Sequence, residues 1–311
     1  MKDLKVLFMG TPDFAVNILN ALLENCNVIG VVTQPDKEVG RHKELRFPPV
    51  KEVALKNNIK VYQPIKIKEE YQNLLDIDYD MIITCAYGQI IPKVLLDKPK
   101  YGCINVHASL LPKLRGGAPI HKAIINGYQK TGVTIMYMVE KMDAGDIIST
   151  CETEITMEDN LESLHDRLSI MCSKLLIETL PNIISGNIKP IKQNEEDVTY
   201  AWNIKREEEK IDFNKSTLEV FNQIRGLSPT PGAYLLIDNE IMKVYKAIIT
   251  GEKSNAKTGE IIKVDKTGIY IKCNDGVISL IEIQPSGKKR MDVTSYVNGI
   301  DKDKLIGKVV D

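Results

Sequence analysis

Across the first 190 residues, short apolar runs alternate with amphipathic helical patterns, a rhythm that few folds accommodate. "KVLFM" (5–9) reads as a strand and "FAVNILNALLEN" (14–25) as a helix with one apolar stripe. "VIGVVT" (28–33) is the next strand. A polar stretch follows, then a helix over "PVKEVALKNN" opened by Pro49. "DMIITCAYG" (80–88) and "CINVH" (103–107) are further strands. Strands that are apolar along their whole length are buried on both faces, which means a parallel sheet covered by helices. Ligands of such sheets bind beyond the carboxyl ends of the strands. His107 lies at such an end, two residues after Asn105.

The rhythm breaks at "TGVTIMYMVEKMDAGDIIST" (131–150), which reads as a long strand, a turn at "DAGD" and a returning strand. "NLESLHDRLSIMCSKLLIETLPNII" (160–184) is a long amphipathic helix that closes a first domain, residues 1–186. The polar stretch 187–206 has no clear period and reads as a linker. Residues 207–311 open with the helix "TLEVFNQIRGL" and continue as short strands, from "AYLLI" to "GVISLIEIQ", separated by turns rich in Gly and Asn. Strands at this spacing predict a small barrel, with the oligonucleotide-binding type as one candidate.

Net charge is −1, so any contact with nucleic acid has to use a local patch. The six cysteines form no C-x-x-C pair, and several lie in apolar runs, as small core residues do. That usage fits a reducing compartment. The N-terminal apolar run is too short for a signal peptide. No stretch reads as the roughly 20 apolar residues of a membrane helix. The expectation is a cytoplasmic protein with no membrane contact.

Alternate residues on a strand share a face, so Asn105 and His107 open onto one space. An isolated N-x-H is more often a local hydrogen-bonding device than a site. Two features weigh against that here: the strand end itself, and the turn-rich "SLLPKLRGGAP" that follows. "MDAGD" (142–146) offers a carboxylate on a small turn; beside an imidazole, a carboxylate fixes its tautomer. "GTPDF" (10–14) has one glycine, so it is neither a dinucleotide fingerprint nor a Walker sequence. The loop "QPDKEVGRHKELRFPPVK" (34–51) is basic and carries Gly40, which suits an arm that meets phosphates.

Together, "MGTPDFAVNILNALL", "VVTQPDKEVGRHKEL", "AYGQIIP", "GCINVHASLLPKLRGGAPIHKAI", "TGVTIMYMVEKMDAGDII", "VTYAWNIKREEEKIDF" and "QPSGKKRM" resemble the methionyl-tRNA formyltransferases, in order and along the whole chain. The resemblance implies an α/β architecture: a Rossmann-like, mostly parallel doubly wound sheet, then a small C-terminal β-barrel of OB-like type. It implies 10-formyltetrahydrofolate as co-substrate and initiator methionyl-tRNA as partner; the expected state is a monomer. It gives Asn105, His107 and Asp143 as the catalytic trio and Ser109, Leu110, Leu111 and Pro112 as the folate-binding segment. It also implies that Lys37, Arg41 and Lys43 belong to a loop that enters the tRNA acceptor end, and that the C-terminal barrel rests on the acceptor arm.

The chemistry of these side chains agrees. When an amine attacks a formyl carbon, an oxyanion develops, and Asn105 and His107 can donate hydrogen bonds to it. His107, oriented by Asp143, can move the proton. No metal and no catalytic cysteine is required. A formyltransferase for a small amine, such as a sugar nucleotide or glycinamide ribonucleotide, would share the trio but not the basic loop. An RNA-binding module with a decayed site would have a broken trio, and a Rossmann-type dehydrogenase would need the absent glycine fingerprint.

Overall fold

The computed structural model describes every residue of the chain except Arg41 and His42. The chain divides into two compact units, each assembled from three segments. The first takes residues 1–119, 130–154 and 165–202, and the second takes 120–129, 155–164 and 203–311.

The first unit is built on seven strands: β1 (Lys5–Gly10), β2 (Asn27–Val32), β5 (Val61–Tyr62), β6 (Met81–Cys85), β7 (Cys103–His107), β8 (Lys130–Tyr137) and β9 (Ile147–Glu154). Two further strands, β3 (Lys37–Val39) and β4 (Glu44–Arg46), pair only with each other. The sheet order is β5-β2-β1-β6-β7-β8-β9. The pairs from β5 to β7 are parallel, and β8 and β9 add on antiparallel. Leu7, Met9, Val32 and Ile82 are fully buried on this sheet, which explains why these strands read as apolar runs rather than alternating ones. The strand order reverses between β1 and β6, so their carboxyl ends and that of β7 border the crevice of a doubly wound sheet.

The helix Leu161–Ser185 corrects one expectation: by length and composition it is long and apolar enough to cross a bilayer. Its apolar residues nevertheless follow the pattern of a core helix. Leu164, Leu168, Cys172, Leu176 and Leu180 recur every fourth residue and are fully buried, while Glu162, Asp166, Lys174 and Glu178 are exposed. The stretch 187–206 is a structural part of the first unit as far as Trp202. Gln193 is buried there, and Ile191 exchanges two backbone hydrogen bonds of 2.8 Å with Ile147.

The second unit is an antiparallel sheet of β10 (Ala233–Ile237), β11 (Glu240–Ile249), β12 (Ile261–Asp265), β13 (Gly268–Lys272), β14 (Val277–Pro285) and β15 (Met291–Asp292). The main path runs β10-β11-β14-β13-β12, and β15 joins β14. The helix Thr217–Gly226 packs Val220 and Ile224 into the same core as Leu235, Val244 and Ile271. Ser216 starts this helix by accepting from the Glu219 amide, and the Glu219 carboxylate accepts from the Ser216 amide in return.

Candidate active site

β7 pairs with β6 on one side and β8 on the other. This central place fixes the backbone of Asn105 and His107 without help from the site itself. Thr84 of β6 stands opposite Asn105 and donates from Oγ1 to its Oδ1 at 2.8 Å. A hydroxyl donor at Oδ1 leaves the amide nitrogen to face the site. Asn105 Nδ2 then lies 3.4 Å from Asp143 Oδ1.

His107 is buried, and its Nε2 lies 3.0 Å from the Leu114 carbonyl oxygen. A carbonyl only accepts, so Nε2 carries the proton and Nδ1 of the neutral ring holds a lone pair. Nδ1 faces Asp143 Oδ2 at 3.8 Å. Two acceptors face each other there, so a proton taken up at Nδ1 meets a carboxylate ready to stabilise it.

Asp143 sits at φ +48°, in the left-handed region that Asp tolerates better than most residues. Three contacts hold it there. The Gly116 amide donates to Oδ2 at 2.8 Å. Gln193 Nε2 donates to the carbonyls of Asp143 and Gly145 at 2.8 and 2.7 Å. Position 145 admits only glycine, because a Cβ would fall 1.7 Å from the Tyr137 carbonyl oxygen. Gln193 is itself gripped by the fully buried Arg115, which donates from Nε and Nη2 to Oε1 at 3.1 and 2.8 Å. Glu195 takes Arg115 Nη2 at 3.0 Å and Lys141 Nζ at 2.7 Å. Lys141, and then Arg115, hold the Glu195 carboxyl below its usual range.

The segment Ser109–Pro112 turns its polar groups inward. Ser109 Oγ donates to the Lys113 carbonyl at 2.6 Å, Thr134 Oγ1 to the Ser109 carbonyl at 2.7 Å, and the Leu111 amide to Thr134 Oγ1 at 3.1 Å. Leu110 and Pro112 are half-buried, while Ser109 and Leu111 are buried. The loop beyond pairs with the stretch 199–201 through backbone bonds from Arg115 to Thr199, Ala201 to Arg115, and Ala118 to Ala201.

The structure therefore brings Asn105, His107 and Asp143 together, with Ser109–Pro112 directly after β7. Lys37 and Lys43 are exposed around the β3–β4 hairpin, with Lys43 Nζ 3.8 Å from Glu38. Arg41 lies outside the described residues. Sequence reasoning missed Thr84, Arg115, Gln193 and Thr199. Thr84 had a signal, as the one polar residue in the buried strand "MIITC". Gln193 had none, lying in a stretch without period. Among the described residues, no three His, Cys, Asp or Glu side chains gather as a metal site. Burial pushes the Cys85 thiol up to about 12 and also raises Cys103 and Cys172, which keeps all three as unreactive thiols.

Known formyltransferases resemble this chain along most of its length. A formyl transferase family model matches residues 4–180, and one for the formyl transferase C-terminal domain matches 203–301. The methionyl-tRNA formyltransferase of Bacillus velezensis is 54% identical over 299 residues, covering 95% of this chain and 94% of the relative. That of Bacillus subtilis is 52% identical with the same coverage. Among solved structures, WlaRD, a sugar 3N-formyl transferase crystallised with dTDP and 5-N-formyl-THF, matches with a TM-score of 0.68 at 23% identity. It covers 93% of this chain and 100% of its own. HypX from Aquifex aeolicus, in complex with tetrahydrofolic acid, matches at 0.62 and 18%, over 94% of this chain and 46% of its own. At such identities the structural likeness speaks for the fold alone.

Proposed function

The chain belongs to the methionyl-tRNA formyltransferase family, and on that footing we propose that it transfers the formyl group of 10-formyltetrahydrofolate to the free amino group of methionyl-initiator tRNA. The observation that carries the mechanism is the Asp143 carboxylate bracketed by Asn105 and His107.

The neutral amine of the methionyl group attacks the formyl carbon, and negative charge gathers on the formyl oxygen. Asn105 Nδ2 carries two protons, and only one is spent on Asp143, at a long 3.4 Å. The other meets the oxyanion. A donor of this kind contributes about 3–4 kcal/mol to the transition state. His107 Nε2 is committed to Leu114, so the neutral ring has no proton for the oxygen. Its work is at Nδ1, which takes the proton that the attacking nitrogen sheds. Asp143 stabilises the imidazolium across 3.8 Å. The proton then passes to the folate nitrogen as its bond to the formyl carbon breaks. The result is formyl-methionyl-tRNA, tetrahydrofolate and His107 in its starting form.

Ser109–Pro112 forms the wall for the folate. Its apolar side chains and inward-turned polar groups suit a flat heteroaromatic ring better than a charged one. Lys37, Arg41 and Lys43 meet the phosphates of the acceptor end, and the C-terminal antiparallel domain supports the acceptor arm. We read the protein as a cytoplasmic monomer; its free cysteines suit that compartment. The test is transfer of labelled formyl from 10-formyltetrahydrofolate to methionyl-tRNA, with a free amino sugar as control. Label in the RNA and none in the sugar is expected; the reverse would overturn the reading.

A further inference from the structure

Tyr200 and Trp202 take no part in the machinery above, yet they stand directly against it. The stretch 199–201 lies along the loop that holds both His107 and Asp143. The Leu114 amide donates to Thr199 Oγ1 at 2.9 Å, the Arg115 amide to the Thr199 carbonyl at 2.9 Å, and the Ala201 amide to the Arg115 carbonyl at 2.7 Å. Leu114 is the residue whose carbonyl takes His107, and Gly116 the one whose amide takes Asp143. On an extended segment alternate side chains point to opposite sides. Ala201 is fully buried, whereas Tyr200 and Trp202 are 45% and 58% exposed.

The two exposed rings are not scattered. They stack on each other, with centroids 5.0 Å apart and planes 5° from parallel. A stacked pair left open to water offers a flat π-surface to a third ring. Lys113 is exposed on that loop between Pro112 and Leu114, both of which hydrogen-bond Thr199. A flat aromatic surface with a nearby cation is the combination that holds unpaired nucleotides without reading their sequence.

The substrate supplies such a nucleotide. The reacting amine belongs to an amino acid esterified to the last ribose of a single-stranded 3′ end. We propose that the Tyr200–Trp202 stack is the platform on which an unpaired base near that 3′ end docks, with Lys113 answering a phosphate. The proposal rests on the methionyl-tRNA reading above and deepens it: the platform sets where the charged end comes to rest.

Trp202 is the chain's only tryptophan, so its fluorescence reports this place alone. Two uncharged hairpin RNAs serve as probes, one with an unpaired 3′ CCA tail and one blunt. The tailed hairpin is expected to quench Trp202 saturably and the blunt one to leave it unchanged. Equal quenching by both, or equally tight quenching by a free nucleoside diphosphate, would overturn the proposal. Trp202→Ala is expected to raise KM for methionyl-tRNA roughly tenfold to a hundredfold, the range for losing one stacked base. KM for 10-formyltetrahydrofolate should stay where it was, and Trp202→Phe should recover most of the loss. An unchanged KM for methionyl-tRNA in Trp202→Ala would defeat the platform while leaving the enzyme's reaction intact. Failure of the wild-type protein to formylate methionyl-tRNA would defeat the reaction instead. The quenching experiment needs no catalysis and separates the two.

Discussion

At the scale of residues, the proposed mechanism gives Asn105 and His107 different moments of one reaction, so their variants should separate. Asn105→Ala removes the oxyanion donor and should cost about 10²–10³ in kcat, the usual range for one such group. The pH profile should keep its shape, because the proton acceptor is still present. His107→Ala removes the acceptor and should lower kcat by roughly 10²–10⁴. It should also flatten the limb of the pH–rate profile that reports an imidazole. Steady-state kinetics across pH check both; a flattened limb in Asn105→Ala would count against this division. How legible the site was follows from the same residues. The strand end with Asn105 and His107 and the small acidic turn are both local signals, whereas the choice of Asp143 over Asp146 came from the family resemblance and not from spacing. The orientation of the trio was not legible. Which way the Asn105 amide faces depends on Thr84, 21 positions away, and the tautomer of His107 depends on the Leu114 carbonyl. Asp143 is held by Gln193, which sits in a polar stretch whose only pattern is the company it keeps after folding.

At the scale of elements, the loop after β7 holds both His107, through the Leu114 carbonyl, and Asp143, through the Gly116 amide, so the proposed reaction depends on its geometry. Gly116 sits at φ +123°, and a Cβ there would lie 2.7 Å from the Ala201 carbonyl oxygen. Gly116→Ala therefore has to move the loop or the 199–201 stretch, and either displaces the groups that hold Asp143 and His107. A shift of about 1 Å at a catalytic group is enough for a roughly hundredfold loss in kcat. That loss is expected together with a small fall in melting temperature, since the sheet itself is untouched. Full kcat in Gly116→Ala would show that the loop does not set the geometry. The turn between β12 and β13 gives a second element-scale test. Asp265 accepts from the Thr267 amide at 2.7 Å and pairs with Lys263 at 2.9 Å. Its hydrogen bonds from Thr267, and next Lys263, pull the carboxyl down to about 2. A lowered folded-state value means stability that is present above the ordinary carboxyl range and is lost as pH falls from about 4 toward 2. Asp265→Asn should be less stable than wild type at pH 7, by a modest amount because the turn is exposed, and the difference should close as pH falls to about 2. Urea unfolding at the two pH values checks it. Elements of this kind were the readable part of the fold. "CINVH" matches β7 end to end, and the long helix is displaced by one residue. The β3–β4 hairpin was not foreseen, because its strands are three residues each and β4 is exposed throughout. A strand of that length without a buried face carries no period to read.

At the scale of the whole molecule, the division into units follows packing rather than chain order. The sequence reads as a first domain to 186, a linker over 187–206 and a second domain from 207, yet the second unit starts at 203 and also takes 120–129 and 155–164. The contacts say why. Arg225, buried on the helix Thr217–Gly226, donates from Nη1 to the carbonyls of Thr156 and Asp159 and from Nε to Asn222 Oδ1. Gly226 lets that helix approach so closely that a Cβ would be 2.7 Å from Ile125 Cγ1 and 3.3 Å from Ile124. Lys122 pairs with Glu208, and Gly127 lies under Asn222. A chain ending at Trp202 keeps the complete trio, the Ser109–Pro112 wall and the Gln193 brace. It nonetheless strips the partners from two internal segments, exposing Ile124 and Ile125 and leaving the Thr156 and Asp159 carbonyls without the Arg225 guanidinium. Exposed apolar surface and unpaired buried groups each cost about 1–3 kcal/mol, and a domain has only about 5–15 kcal/mol in hand. Residues 1–202 alone should therefore bind a hydrophobic dye, melt without a sharp transition and transfer no formyl group even at high concentrations of a minimal charged RNA. The same fragment mixed with separately made 203–311 should regain a cooperative melt, because what is missing is a surface and not a covalent link. A fragment 1–202 that melts cooperatively by itself would show that 120–129 and 155–164 do not depend on residues 203–311 for their order, and the division into these two units would fail.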